Sequence, residues 1–479
     1  MTKKRLFPLL LLALPFSGEA QDGLPMRAAE GVVVYNESLR LNVCFLFGED
    51  GEGNPTAVLD LPDMFAYDMP TETARVGDSL FIRGGRQTPV RFEGRIYPDS
   101  LVGRWFPDQM PPLALTLYKS DKQRRRPQQP EPPYPYRAEE VAYANADSTV
   151  RFGATLTLPD GDGPFPAAIL LTGSGQQDRD ESLCGHKPFR LIADYLTRRG
   201  IAVLRADDRG IGATTGPVGT ATTEDFSRDA LAGVTYLKSR SEIDPRRIGL
   251  IGHSEGAMIA MLVARGNPDI AYAVSLAGPA VTGVELGLTQ ARENLKDSIA
   301  DGRVMDSVIS LLSALYGDMA RFPEKPAAQI VAEITARWMP AQDSATRAAA
   351  GMVCSDGEWI WPPEAIKGMT RTLDRPWQRY MVAFDPAPVL EEVRCPMLFL
   401  NGGKDRQVDC GRNLQRFREI ARKQDRTNRE FEPFADLNHL FQHCETGKMD
   451  EYVRIEETFA PEALERIFRW TDSTVRAKP

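Results

Sequence analysis

Three side chains of this sequence have the types needed for a nucleophile, its base and an orienting acid: Ser254, His439 and Asp405. Ser254 is the centre of Gly252-His253-Ser254-Glu255-Gly256, a G-x-S-x-G pattern that also arises by accident, so context decides its meaning. Here "RIGLI" reads as a strand, "EGAMIAMLVARG" as a helix, and the pentapeptide occupies the single tight turn between them. The two glycines remove side chains where strand and helix approach, letting a serine stand strained and exposed above the carboxyl edge of a sheet. A serine hydroxyl attacks a carbonyl only if a base takes its proton and a third group fixes that base's tautomer. Asp405, in "LFLNGGKDRQVD" just past an apolar strand, and His439, in "FEPFADLNHLFQ" after one more short strand, supply these groups. Asp409 is an alternative acid farther from the strand end, and His443 an alternative base about one helical turn on. His253 reads as a packed residue aimed away from Ser254, and His186 as structural or lining.

The developing oxyanion needs two aimed donors. The backbone N–H of Glu255 follows the nucleophile at a helix N-terminus, where partial positive charge collects. The second donor is expected from the turn in "LLTGSGQQDRDE": the N–H of Ser174, with Gly175 the alternative. The competing reading gives those glycines to a tight turn alone.

These residues need a scaffold. Residues 21–120 alternate with period two in "LRLNVCFLF", "TAVLDL", "DSLFIRG", "VRFEGRIY", "LVGRWF" and "LALTLY", which predicts a small antiparallel β domain, sandwich or barrel. Residues 121–137 turn basic and then proline-dense, the composition of a semi-rigid linker. From 138 to 479 apolar strands alternate with helices, which predicts a mostly parallel sheet covered on both faces. About 281–394 interrupts that alternation with helical periodicity and with Trp359, Trp361 and Trp377, and is expected to form a helical cap.

Composition narrows the function further. Residues 1–20 have a basic start, an apolar stretch and small residues at Gly18 and Ala20, the layout of an export signal and too short for a permanent anchor. No later segment is long and apolar enough to span a bilayer, and a secreted or periplasmic location is expected. Without Lys3, Lys4, Arg5 and Glu19 the formal net charge moves from −8 to −10, which argues against nucleic acid as a partner. Six cysteines lacking C-x-x-C spacing and only four histidines give little to build a zinc site, so no metal or cofactor is expected. Cys410 and Cys444 each lie five residues past a candidate triad member. If the triad forms, their loops are neighbours, so a disulfide between them is geometrically plausible and would stiffen the acid–base pair.

From about Tyr136 onward the chain resembles the α/β-hydrolase superfamily, in particular bacterial serine esterases related to the prolyl oligopeptidase and dienelactone hydrolase lineages. The resemblance is carried by "LLTGSGQQDRDE", "GHKPFRLIADYLTRRGIAVLRADDRGIGATTG", "GLIGHSEGAMIA", "FDPAPVLEEVRCPMLFLNGGKDRQVD" and "LNHLFQ". It implies an α/β-hydrolase fold with a cap insertion and the chain order nucleophile, acid, base. It also implies hydrolysis of carboxylic esters of small molecules through an acyl-enzyme, with "DDRG" at Asp207 to Gly210 holding loops together. Thr172 stands where many relatives carry His before the oxyanion glycine, which leaves the second donor open. Two other readings compete: a peptidase or amidase, with an acidic cap residue such as Glu358 gripping an amino end, and a non-catalytic polymer-binding protein.

Overall fold

The computed structural model describes residues 24–477 apart from 37–38, 51–52, 65, 85–89, 109, 122–125 and 356. The expected export signal lies outside the described residues. The chain divides into two compact units, Met1–Gln123 and Arg124–Pro479.

The first unit is a closed antiparallel barrel of β1 (Ala28–Val34), β2 (Arg40–Glu49), β3 (Pro55–Leu61), β4 (Ala66–Val76), β5 (Ser79–Gly84), β6 (Arg91–Ile96), β7 (Ser100–Phe106) and β8 (Leu113–Lys119). Each strand pairs with its successor and β8 returns to β1, so the sheet has no free edge. Alternation decides which side chains enter: Leu80 and Ile82 of β5 point in while Phe81 between them is exposed. Phe45, Phe92, Leu101 and Trp105 fill the interior, as side chains can in a barrel of eight strands. The sequence pattern announced six of these strands. It missed β1 and β4; β4, "AYDMPTETARV", is held by pairing with β3 and β5 rather than by hydrophobic alternation.

The second unit opens with β9 (Arg137–Ala144), β10 (Arg151–Leu158), β11 (Phe165–Leu171), α1 (Pro188–Thr197), β12 (Ala202–Ala206), α2 (Thr223–Lys238), β13 (Ile243–His253), α3 (Glu255–Ala264) and β14 (Ala273–Leu276). An insertion follows: α4 (Gly283–Leu295), α5 (Gly302–Arg321), α6 (Ala327–Trp338), α7 (Ser344–Ala349), a hairpin of β15 (Val353–Ser355) and β16 (Glu358–Ile360), α8 (Pro363–Leu373) and α9 (Pro376–Ala383). Then α10 (Pro386–Glu392), β17 (Met397–Gly402), α11 (Cys410–Lys423), β18 (Arg429–Phe434) and α12 (Pro461–Arg476) complete the chain's elements. The sheet runs β18-β17-β14-β13-β11-β12-β10-β9, and only β10 opposes its neighbours; the other pairings are parallel. This is the mostly parallel, doubly covered sheet that the resemblance implies.

The central strands β14 and β17 are buried along their whole length because helices cover both faces. Residues from α2, α3, α10 and α11 pack on one face, and residues from α1 and α12 on the other. Every residue of α3 is buried, so no polar face was available to mark it as amphipathic. The start of α2 is fixed locally: Thr222 and Asp225 form a reciprocal capping box. The insertion has its own core, in which Leu311, Leu315 and Met319 of α5 meet Ile330, Val331 and Ile334 of α6. The β15–β16 hairpin departs from the helices expected of the insertion.

Residues 126–136, within the segment read as a linker, are built onto the second unit. Arg126 donates to the carbonyls of Cys184 (2.7 Å) and Val453 (3.1 Å), and Gln128 to that of Phe459 (2.8 Å). Tyr136 donates to Asp194 at 2.9 Å. Proline density here yields an extended strap whose glutamine, arginine and tyrosine side chains anchor it, a role that composition alone does not reveal.

Candidate active site

The carboxyl ends of β11, β13, β17 and β18 each lead into a candidate site residue. β13 ends at His253 and α3 begins at Glu255, leaving Ser254 alone in the turn with φ 54° and ψ −116°. Such a conformation costs a non-glycine residue on the order of 1–3 kcal/mol and persists only where the surroundings enforce it. The enforcement is visible: Ser254 N–H donates to Leu276 O at 2.8 Å. A Cβ on Gly252 would lie 2.0 Å from Gly256 O, and one on Gly256 2.0 Å from Leu171 O. Both glycines are therefore required by the closeness of helix to strand.

Asp405 lies on the loop after β17, and its carboxylate is fully engaged. Oδ1 accepts from the N–H groups of Gln407 (2.8 Å) and Val408 (2.9 Å), and Oδ2 accepts from Asn401 Nδ2 (3.1 Å). Oδ2 also pairs with His439 Nδ1 at 2.7 Å, with both side chains buried. With Nδ1 committed to the carboxylate, Nε2 is the nitrogen left for substrate chemistry. Ser254 and His439 line the same cavity, of about 550 Å³.

The alternatives sort themselves by contact. Asp409 caps α11, accepting from Arg412 N–H at 2.8 Å. His443 is half exposed between Glu457 and Glu462. His186 is buried between Thr458 Oγ1 and Tyr452 O. Glu358 is exposed on the β16 hairpin and is not among the cavity's lining residues. A Cys410–Cys444 disulfide is not formed. Cys410 starts α11 with its sulfur toward Asn401 O, whereas the Cys444 sulfur turns to Asp436 O, so neighbouring loops present the two thiols to different main-chain acceptors.

The turn after β11 approaches Ser254 closely. A Cβ on Gly173 would be 3.3 Å from Ser254 Cβ. Gly173 N–H is already spent on Glu181 Oε1 at 2.8 Å, while Ser174 and Gly175 line the cavity beside Ser254 and Glu255. Thr172, in the unusual position noted above, is tied down by Asp208 (2.8 Å), which also accepts from Gln177 N–H (2.9 Å). Burial pushes the Asp208 carboxyl up to about 7 against the pull of those two hydrogen bonds. Asp207 takes a forked pair of hydrogen bonds from Arg179, and Arg209 binds Asp229. The "DDRG" segment thus binds the turn residues to the body of the unit.

Sequence reasoning missed two features. Glu255, wanted only for its N–H, has a buried carboxylate that accepts from Thr223 Oγ1 (2.7 Å) and from Trp377 Nε1 of α9 (2.9 Å). Burial raises its pKa while those donors, with Ser174, oppose the rise. Glu181 pairs with His253 Nδ1 at 2.9 Å from a left-handed backbone position, φ 54°. It sits in the very segment quoted for the oxyanion turn, and that adjacency was the available signal. A second cavity, of about 70 Å³, shares Gly173, Gly175, Gln176 and Glu255 with the first and is walled by Tyr143, Phe152 and Phe226.

The family described as Serine aminopeptidase, S33, matches residues 187–358, which include the Ser254 turn. Esterase EstD of Thermotoga maritima is 27% identical over 287 residues, 60% of this chain and 57% of that protein. Esterase FrsA of Klebsiella pneumoniae is 27% identical over 162 residues, 34% of each chain. The alignments therefore span little more than half of the first relative and about a third of the second. A solved esterase from Pyrococcus furiosus superposes with a TM-score of 0.41 at 16% identity, covering 71% of this chain and 91% of that one. Sheet order and the glycine-flanked serine turn give the second unit an α/β-hydrolase fold, and part of its sequence is similar to serine aminopeptidases and to two esterases.

Proposed function

We propose that the protein hydrolyses carboxylic esters of small molecules through an acyl-enzyme, with Ser254 as nucleophile, His439 as general base and Asp405 as orienting carboxylate. The observation that carries this reading is the 2.7 Å Asp405–His439 pair opening into the cavity lined by Ser254 at its strained turn. His439 Nε2 takes the hydroxyl proton as Ser254 Oγ bonds to the ester carbon. The carbonyl oxygen becomes an anion held by the N–H groups of Glu255 and Ser174. Collapse of that intermediate releases the alcohol with the proton carried by His439, and a water repeats the sequence to free the acid. We further propose that the chain is exported, on the strength of residues 1–20.

Amide hydrolysis is the second reading, favoured by the Serine aminopeptidase match. An aminopeptidase must grip a cationic amino end. Both carboxylates among the described lining residues are already paired, Glu181 with His253 and Glu255 with Thr223 and Trp377, which supports the ester. Fluorophosphonate labelling followed by peptide mapping tests the shared chemistry: an adduct on Ser254, absent from Ser254→Ala, is expected, and an unlabelled folded protein refutes it. Parallel assays on p-nitrophenyl acyl esters and aminoacyl p-nitroanilides then separate the readings, with turnover of the esters expected to dominate.

A further inference from the structure

A second histidine–carboxylate pair lies directly behind the first. The rings of His253 and His439 are 4.7 Å apart at 50°. His253 Nε2 faces the main-chain carbonyl of His439 at 3.0 Å, and a carbonyl can only accept, so that nitrogen carries a proton. Its Nδ1 faces Glu181 Oε1 at 2.9 Å, and the same oxygen accepts Gly173 N–H at 2.8 Å. Both side chains are buried, His253 at 6% and Glu181 at 4% exposure. A ring with two acceptors opposite its two nitrogens is satisfied as an imidazolium beside a carboxylate. Burial works against that charge, but Glu181 outweighs it and His253 is held above the ordinary histidine range. One carboxylate oxygen thus fastens the oxyanion turn, and through His253 fastens the backbone of the base, with the link running through the residue next to the nucleophile.

We propose that Glu181 and His253 act as one positioning unit, setting the oxyanion turn and His439 relative to Ser254 at the same time. This rests on the serine-hydrolase reading above. Neither residue is placed against the reacting atoms; their effect is on the alignment of groups that are. Glu181 adopts a left-handed backbone conformation unusual for its type, which is consistent with its side chain being required in that place.

The test measures the rate of Ser254 labelling by a fluorophosphonate, with kcat and KM on a p-nitrophenyl ester, all per labelled site so that unfolded protein is divided out. Glu181→Gln and His253→Gln are each expected to lower the labelling rate and kcat by about 10- to 100-fold with little change in KM, since misplacing a reacting group by about 1 Å suffices for such a loss. His253→Ala, which keeps no donor for the His439 carbonyl, is expected to lose more than His253→Gln. The double variant Glu181→Gln/His253→Gln is expected to be no worse than the weaker single variant, because one unit has been broken once. Charge supplies a further readout. The groups facing His253 are Glu181, the His439 carbonyl and, beyond it, Asp405. The ion pair is complete at pH values below the ordinary histidine range and is lost as pH climbs through the raised value, so labelling falls on the alkaline side. In Glu181→Gln that fall moves to lower pH, which a merely structural loss would not do. Single variants within twofold of the parent, or losses that multiply in the double variant, overturn the proposal. Absence of Ser254 labelling in the parent protein instead defeats the serine-hydrolase reading.

Discussion

The two units put their strands to opposite uses. In the barrel the sheet curls until β8 meets β1, and the positions it encloses are filled by apolar side chains such as Phe45, Phe92 and Trp105. In the second unit the sheet stays open, and the carboxyl ends of its strands lead to the oxyanion turn, Ser254, Asp405 and His439. The buried residues there include Glu181, His253, Glu255, Asp405 and His439, each with a partner. Burying such groups costs several kcal/mol unless each is paired, so this edge gives up apolar packing that the barrel interior keeps. Apolar side chains fill the barrel, whereas the open sheet gathers paired polar groups at its carboxyl edge.

The largest expected effect lies at that edge. Asp405→Asn keeps the size of the side chain but turns a donor toward His439 Nδ1, favouring the wrong tautomer. A loss of about 10⁴-fold in kcat is expected, with the thermal midpoint nearly unchanged. Retention of more than about a tenth of the activity would remove Asp405 from the mechanism. The complementary change is in the barrel: Trp105→Ala empties a fully buried site whose indole N–H donates to Tyr35 OH at 3.1 Å. It is expected to destabilise the barrel by about 3–5 kcal/mol in urea unfolding, while the labelling rate of Ser254 in protein kept folded stays the same. A coupled loss of both would break the contrast between the units.

That contrast also explains what was legible in the sequence. The barrel's inward residues recur every second position, and the buried strands of the second unit are near-continuous apolar runs, so short-range pattern carried both. Ser254, Asp405 and His439 were legible because each follows a strand at a turn whose glycines or loop length mark it. Glu181 and Trp377 were not, because their partners, His253 and Glu255, lie 72 and 122 residues away along the chain. Strand β4 was missed because pairing on both sides substitutes for alternation, and the anchoring of residues 126–136 because proline content reports backbone stiffness and not side-chain anchors. Neighbouring loops make a Cys410–Cys444 disulfide plausible, but whether the sulfurs meet depends on side-chain direction, which the sequence does not carry.

The contact between α9 of the insertion and the Ser254 turn gives the next effect. Trp377→Phe keeps the ring of α9 and removes the only N–H of that side chain, leaving Glu255 Oε1 with Thr223 alone of its two donors. Loss of a hydrogen bond to a buried carboxylate is worth about 1–3 kcal/mol. We expect a drop of that size in stability together with a rise in KM, because Trp377 and Met381 of the same helix line the cavity. An unchanged KM with lowered stability would make the contact a fastening of the fold and nothing more.

The smallest effect is a slope. Asp208 lies beneath the oxyanion turn at the wall of the second cavity, and its folded-state value of about 7 is far above that of an unfolded aspartate, about 3.9. Between those two values the native protein holds a proton that the unfolded chain has released. This group therefore adds stability as pH falls through that window and withdraws it as pH rises, with a slope of at most about 1.4 kcal/mol per pH unit. Asp208→Asn cannot titrate, so urea midpoints collected across the window should rise less on acidification in the variant than in the parent. Identical slopes would mean that Asp208 is ionised throughout. The carboxyl holding Thr172 and Gln177 would then be an ordinary charged anchor, and the second cavity would owe no pH dependence to it.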